Sequence, residues 1–509
     1  MSQFTPLLKF TGRIDRRNPR NEGDMTSPYM RENLLSRDGI LKHPRGTETH
    51  ITGLYGIPVW SGRYYTIETG VVSPKTFVLT NTGTMYFIDD TLRTATDVTF
   101  GLSFNVNGYP KSWMYKSGEQ TYLYLVDGEN LYKYDGNNDK RFEKVEVLDS
   151  NDDPVNPIDV IEHKDRLCLL SKGFIFVSKN LYPDIFDDST DSIQIVVGSG
   201  KGENLSFGKL DDKLYTFNTE GIFVLNGDTI SAVATSFEIR LADERKIISS
   251  RSLKKVENAI VFLADDLNLW SFNGSISEKL SHPEKLEDFI NPYRSMLDKA
   301  VATYYNNYYM LSFVETGETI PKLEIWYDAF EKKIEFVRGR NVSCYLEVDP
   351  TKEMKYQQLG RSDTGTIMYA DRGYTFGGAI IVSRLWTKDI VLNKGRNVRI
   401  SAFYPEFEPI GNRNLRIWYF LDGRLTDLST TPVSYFEQNL QGETKTLGMI
   451  HIKNQSQVTS RVRPRINYSK GESVAFYIND STYELDFNFK GIMIEYIPRA
   501  MKKIRTIGA

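Results

Sequence analysis

The 509-residue chain has only two cysteines and five histidines, almost no net charge (−3), and no long apolar run. Two cysteines, Cys168 and Cys344, each inside a strand-like run, read as buried free thiols in preference to a disulfide framework. His43, His50, His163, His282 and His451 show no H-x-x-x-H spacing, so no metal and no cofactor is expected. With 63 basic against 66 acidic side chains, no global pull toward nucleic acid or a membrane surface exists. No apolar stretch approaches the roughly 18 residues of a membrane span, and no charged-then-apolar leader opens the chain. Integral membrane association and secretion are not expected. Phosphate-cradling glycine loops and a G-x-S-x-G elbow are also missing.

What the chain has is repetition. A strand, a polar turn, a hydrophobic residue with an aromatic and a second turn recur seven times, marked by Tyr86, Tyr132, Phe176, Phe223, Trp270, Trp326 and Tyr369. The intervals are 46, 44, 47, 47, 56 and 43 residues. A period of roughly 40–50 residues built of short strands is the mark of a β-propeller with one four-stranded blade per repeat. In the clearest copies, Leu214–Phe217 returns through Asn218–Gly221 as Ile222–Leu225, and Ile260–Leu263 returns as Leu269–Phe272 before Asn273-Gly274. Asn-Gly and Asp-Gly supply the positive φ of tight hairpin turns. Irregular copies around Phe176 and Trp326 leave the blade count at six or seven. The aromatics lie on apolar strand faces and are expected to pack blade against blade rather than to stack on ligands.

The chain divides into an extended N-terminal arm (1–50), the propeller (51–380) and a β-sandwich-like domain (381–509) marked by strand signals such as 398–403, 415–420, 473–478 and 490–496. Within the propeller, Leu286, Phe289, Ile290, Tyr293, Met296 and Leu297 predict a helix over 283–299, with Ser281 as its cap. The arm has no periodicity, and its Arg13, Arg16, Arg17 and Arg20 admit either nucleic-acid contact or a solvated arm or strap on a neighbouring subunit.

Three features resemble the tail hub, or nozzle, proteins of short-tailed bacteriophages, including the packaged-DNA stabilisation family. One is the opening phrase from Met30 to Thr47, with Asn33-Leu34, Gly39-Ile40-Leu41 and Pro44-Arg45-Gly46, which departs from the commoner Arg-Pro-Gly order. Another is the strand–helix–strand passage from Ser250 through Phe272, Leu280 and 283–299 to Tyr308–Phe313 and Trp326-Tyr327-Asp328. The last is a chain end where repeats give way to a sandwich. The resemblance implies a non-enzymatic structural virion protein, assembled in the host cytoplasm. Six copies would form a ring below the portal and adaptor, and its channel would retain and later pass packaged DNA. Fibre or plug proteins would dock on it. The arm residues Arg13, Arg16, Arg17, Arg20, Met30, Asn33, Leu34, Gly39, Pro44 and Gly46 are the expected assembly contacts.

Two rivals belong to other classes. A carbohydrate-active propeller, a glycosidase or lyase, needs paired carboxylates about 5–9.5 Å apart at a funnel mouth. The string nearest a sialidase turn, Ser362-Asp363-Thr364-Gly365-Thr366, has the wrong spacing. A monomeric propeller acting as an interaction scaffold differs from the ring in oligomeric state alone.

Overall fold

The computed structural model describes residues 2–15, 20–21, 27–68, 71–117, 120–149, 151–186, 191–227, 237–281, 284–314, 321–347, 357–361, 364–393, 397–407, 415–421, 446–450, 458–459, 470–481 and 488–498. Six consecutive four-stranded antiparallel meanders cover 58–97, 111–145, 159–196, 204–243, 254–279 and 301–338. A seventh is composite. Val342–Glu347, Gln358–Arg361 and Ile367–Ala370 supply three strands, and Thr47–Ile51, from near the start of the chain, pairs antiparallel with Ile367–Ala370 as the fourth. Among the described residues the propeller therefore has seven blades, and the closing blade zips two distant pieces of chain together. The innermost strands of blades seven and one also pair, in parallel, at Leu346 with Ser61 and Glu347 with Gly62. Among the described residues, no helix is long and apolar enough to cross a membrane.

All seven repeat aromatics sit on the third strand of their blade. Tyr132 packs on Trp60, Phe77 and Leu79 of blade one, Phe223 on Cys168 and Ile175 of blade three, and Trp270 on Tyr215 and Phe217 of blade four. Each of these faces the blade before it. Trp326 breaks the pattern: it packs with Val342, Tyr345 and Leu359 of blade seven, while its neighbours Ile325 and Tyr327 face blade five. Side chains alternate along a strand, so a one-residue offset of the phrase sends its aromatic to the opposite seam.

The turn glycines have a second use beyond their positive φ (90° at Gly136, 95° at Gly274). A Cβ at Gly136 would lie 2.5 Å from the Tyr64 hydroxyl of blade one, and one at Gly274 would lie 2.9 Å from the Tyr215 hydroxyl of blade four. The phrase thus ends in glycine because the preceding blade closes on it.

The expected helix over 283–299 is a single α-helical turn, Leu286–Ile290, running into a 3-10 helix, Asn291–Lys299. Pro292 lacks the amide donor that an α-helix would use beyond its first turn. The apolar stripe still works: Leu286, Ile290 and Leu297 are buried between blades five and six. Ser281 does not cap it; its hydroxyl donates to Asn268 Oδ1 (2.7 Å), and Lys285 occupies the cap position.

The C-terminal sandwich is built with the N-terminal segment, which is extended but lies along its own chain. One sheet joins Val398–Phe407 and Asn488–Pro498 to the arm strands Gln3–Phe4 and Ile40–Lys42, the latter in a hairpin with Leu35–Arg37. The facing strands are Ser383–Trp386, Asp389–Val391, Leu415–Leu421 and Ser473–Asp480. Leu8, Phe10, Leu34 and Leu41 of the arm share a core with Leu385, Ile390, Phe403, Phe476, Ile478, Ile492 and Ile494. Between the two bodies, Met30–Glu32 pairs antiparallel with Ser383–Trp386 on one side and in parallel with Lys333–Arg338 of blade six on the other. Hydrogen-bonded sheet therefore runs without a break from blade six through the arm into the sandwich.

Candidate assembly site

The arm strand is held at this junction by charge as well as by its backbone. Arg31 is fully buried, and its guanidinium grips Glu335 of blade six with both arms (Nε–Oε2 2.9 Å, Nη2–Oε1 2.6 Å). Nη1 donates to the Phe10 and Gly12 carbonyls, both at 2.8 Å, tying a second stretch of the arm to the same centre. Burial pushes the Glu335 carboxyl up, against the opposing pull of Arg31. A planar guanidinium serves here because it satisfies a bidentate carboxylate and two carbonyls together.

Asn33 is the second clip. It adopts φ 54°, and its amide group donates to the Arg338 carbonyl of blade six (3.1 Å) and the Val382 carbonyl of the sandwich (2.9 Å). Its Oδ1 accepts from Arg338 N (2.7 Å), so one side chain spans arm, propeller and sandwich. Glu32 adds ion pairs to Arg384 of the sandwich (3.0 Å) and Arg338 of blade six (3.5 Å).

The other expected contacts are likewise engaged within the chain. Arg13 pairs with Glu284 (2.8 Å) and donates to the Leu280 carbonyl (3.0 Å). Met30 packs against the core between blades five and six, and Leu34 is buried in the sandwich. Gly39 forms the hairpin turn with Asp38 (φ 70° and 54°). Pro44 and Gly46 are buried where the chain passes from sandwich to blade seven. A Cβ on Gly46 would meet the Thr375 carbonyl at 2.3 Å, which explains glycine in the Pro44-Arg45-Gly46 turn. Arg20 lies on a short strand paired with Asp389; Arg16 and Arg17 lie outside the described residues. A free arm that straps a neighbour is thus not the arrangement of its described residues: they join the chain's own two bodies. Arg31 and Glu32 stand in the opening phrase from Met30 to Thr47 but outside the set of expected contacts. The available signal is the adjacent pair Arg31-Glu32 set between Met30 and the apolar Leu34-Leu35: charges carried into a buried segment demand partners.

A second polar cluster spans the propeller axis. Glu347 Oε2, on the innermost strand of blade seven, accepts from Trp60 Nε1 of blade one (3.0 Å) and from the Ser112 amide (3.1 Å) and hydroxyl (3.0 Å) of blade two. Its other oxygen faces Lys254 of blade five at 3.7 Å. Blades seven, two and five are not neighbours, so these contacts cross the central hole. Beside them Lys111 reaches Asp159 and Ser206, both at 2.8 Å, linking blades two, three and four; burial pulls this ammonium's pKa down. Arg251 lies 4.7 Å over the Tyr109 ring, and the Tyr109 hydroxyl donates to Asp298 (3.1 Å). Burial, then the Asp298 charge, pushes Tyr109 up to about 12. The axis is filled by side chains at this level. Among the described residues, no group of three or more His, Cys, Asp or Glu side chains is arranged to hold a metal.

No protein-family model matches the chain, and no curated protein does. Among solved structures, it is similar to the β-propeller domain of Cps50 (Swd1) from Myceliophteria thermophila, at 11% identity and a TM-score of 0.40, over 64% of this chain and 99% of that one. It is also similar to the CNH domain of AfRom2 (11% identity, TM-score 0.35, 64% and 98% covered) and to BBS1N from a complex with ARL6DN (11%, 0.38, 64% and 97%). At these TM-scores the likenesses carry no argument; the seven sheets themselves establish the propeller.

Proposed function

We propose that this chain is a structural virion protein, a hub or nozzle subunit in the tail of a short-tailed phage. Six copies form a ring beneath the portal and adaptor. The ring retains packaged DNA, passes it at ejection, and offers docking surfaces to fibre or plug proteins. The support is the resemblance of the Met30–Thr47 phrase, of the passage around the helical segment, and of the domain order. The observation that carries the reading is the weld at Arg31, Asn33 and Glu335. It makes propeller and sandwich one hydrogen-bonded body, as suits a part that bears load during ejection. Because side chains span the propeller axis, the DNA path on this reading lies in the lumen between copies. A near-neutral chain suits such a lumen, since strong phosphate pairing would slow passage.

Light scattering of the purified protein, alone and mixed with a portal–adaptor complex, followed by negative-stain imaging, tests this. A six-copy ring with a central hole in either sample supports the proposal. A monomer in both overturns it.

A further inference from the structure

The third strand of several blades ends in the same kind of turn. Asp89 of blade one accepts through Oδ1 from the Thr91 and Leu92 amides, both at 2.9 Å. Asp328 of blade six accepts likewise from the Phe330 and Glu331 amides, both at 2.9 Å, and Asp135 of blade two from the Asn137 amide (3.0 Å). Blade five places an amide where these place an acid. Asn273 Oδ1 accepts from the Ser275 and Ile276 amides, both at 3.0 Å, and Gly274 follows it in the chain. Such a turn needs only the side-chain oxygen, so Asn and Asp serve it alike.

Asn-Gly is also the pair in which a side-chain amide is most open to attack by the next backbone nitrogen, because glycine has no Cβ to block the approach. The chain has three such pairs, and the fold treats them differently. At Asn107-Gly108 the glycine amide already donates to the Asn105 carbonyl (3.3 Å), and a Cβ on Gly108 would lie 1.7 Å from the Asp127 carbonyl oxygen. At Asn226-Gly227 the asparagine is held in a strand ladder opposite Glu238, and a Cβ on Gly227 would lie 2.3 Å from Phe237 Cδ1. Among the described residues no amide donates to Oδ1 of Asn107 or Asn226. Asn273 is solvent-exposed, its Oδ1 carries two amide donors, and nothing among the described residues accepts from the Gly274 amide.

We propose that Asn273 is a self-modifying site, converted in water to aspartate through a cyclic imide with Gly274. The Gly274 nitrogen gives its proton to a solvent base and bonds to Cγ of Asn273. Negative charge moves onto Oδ1, where the Ser275 and Ile276 amides already point, as in an oxyanion hole. The Cγ–Nδ2 bond then breaks, and ammonia leaves with a proton taken from water. A water molecule adds to the imide at Cγ, the bond from Cγ to the Gly274 nitrogen breaks, and that nitrogen regains its proton. Opening at the backbone carbonyl would instead leave an isoaspartyl link, one carbon longer in the main chain. The turn resists that lengthening. Phe272 pairs with Ser277, the Asn273 amide donates to the Ile276 carbonyl (3.3 Å), and the Tyr215 hydroxyl of blade four donates to the Gly274 carbonyl (3.3 Å). The acid product has a precedent at Asp135-Gly136, where the glycine lies under Tyr64 as Gly274 lies under Tyr215. The turn therefore gains a negative charge as the protein ages, whatever assembly it enters; the inference stands apart from the tail-hub proposal.

The test keeps the folded full chain in mildly alkaline buffer and maps its peptides at intervals by mass spectrometry, with electron-transfer fragmentation to separate aspartyl from isoaspartyl products. A synthetic peptide of residues 268–280 is the control for sequence alone. Asn273 in the folded chain is expected to convert about tenfold faster than in the peptide, a smaller gain than in an enclosed site because this turn faces water. It should also outpace Asn107 and Asn226 and yield mainly the aspartyl form. The Asn273→Asp variant should melt at the parent's temperature. Conversion in the folded chain no faster than in the peptide, equal rates at the three pairs, a mainly isoaspartyl product, or a clearly lower melting temperature for Asn273→Asp overturns the inference.

Discussion

Arg31 and Glu335 stand 304 positions apart in the chain, yet their bidentate pair closes at 2.6 Å with both side chains withdrawn from water. Breaking a buried pair by removing one member leaves the other charge uncompensated, which costs about 3–5 kcal/mol, whereas replacing both by apolar groups costs far less. Arg31→Leu and Glu335→Leu are each expected to destabilise the protein on that scale, and the double variant by less than the sum of the two, the Phe10 and Gly12 carbonyls losing their donor whenever Arg31 is replaced. Urea unfolding of the three proteins measures this. Additive losses would show that the two residues act independently.

That pair also marks where the sequence stops being legible. The third-strand aromatics repeat because each blade solves the same packing problem locally, so their period gives the propeller directly. The hairpin at Asp38-Gly39 was likewise readable from turn chemistry. The closing strand Thr47–Ile51 was not. Its partner Ile367–Ala370 lies far along the chain, and nothing within Thr47–Ile51 distinguishes an arm from a blade's outer strand. The same holds for Leu8 and Phe10, two apolar residues in an aperiodic segment whose core is formed by strands near the other end of the chain. Extended segments that add to distant sheets carry no period of their own.

At the closing blade, His50 of the N-terminal strand meets Asp90 of blade one and the Tyr369 hydroxyl, both at 3.0 Å through Nε2. Arg63 (3.2 Å) and Gln358 (2.9 Å) also donate to Asp90. His50→Ala removes one member of this network and leaves buried groups short of a partner, at about 1–3 kcal/mol. Limited proteolysis should then cut first near 47–51 or 357–370. Unchanged cleavage kinetics would contradict a seam held by this histidine.

Gly136→Ala should cost roughly 1–3 kcal/mol, combining a Cβ at positive φ with the clash against the Tyr64 hydroxyl. Tyr64→Phe alone loses the hydroxyl's bond to the Thr121 carbonyl (3.1 Å), about 1 kcal/mol. Because the two positions touch, thermal melts should show the double variant less destabilised than the sum of the single losses. Strict additivity would argue against the contact.

His163 gives the fold a dependence on pH. It is buried beside Phe237 (ring centroids 6.2 Å apart), and burial, with the nearby Lys209 and Lys164 charges, lowers its pKa from 6.5 to about 3. Below pH 6.5 the unfolded chain takes up a proton that the folded protein refuses. Stability therefore falls as pH drops from 6.5 toward 3, by up to about 1.4 kcal/mol per unit. His163→Leu should flatten this part of the profile relative to the parent. Parallel profiles of the two proteins between pH 6 and 4 would show that the histidine contributes nothing.

The central claim is that the N-terminal segment is a structural keystone joining blade six, the sandwich and the closing blade. Amide hydrogen exchange of peptides covering 30–37 and 47–51 tests it most directly. The account predicts protection as deep as that of the central strands Tyr308–Val314 and Lys213–Asn218, lost only in global unfolding. Exchange of those peptides within seconds while the blade strands stay protected would contradict it.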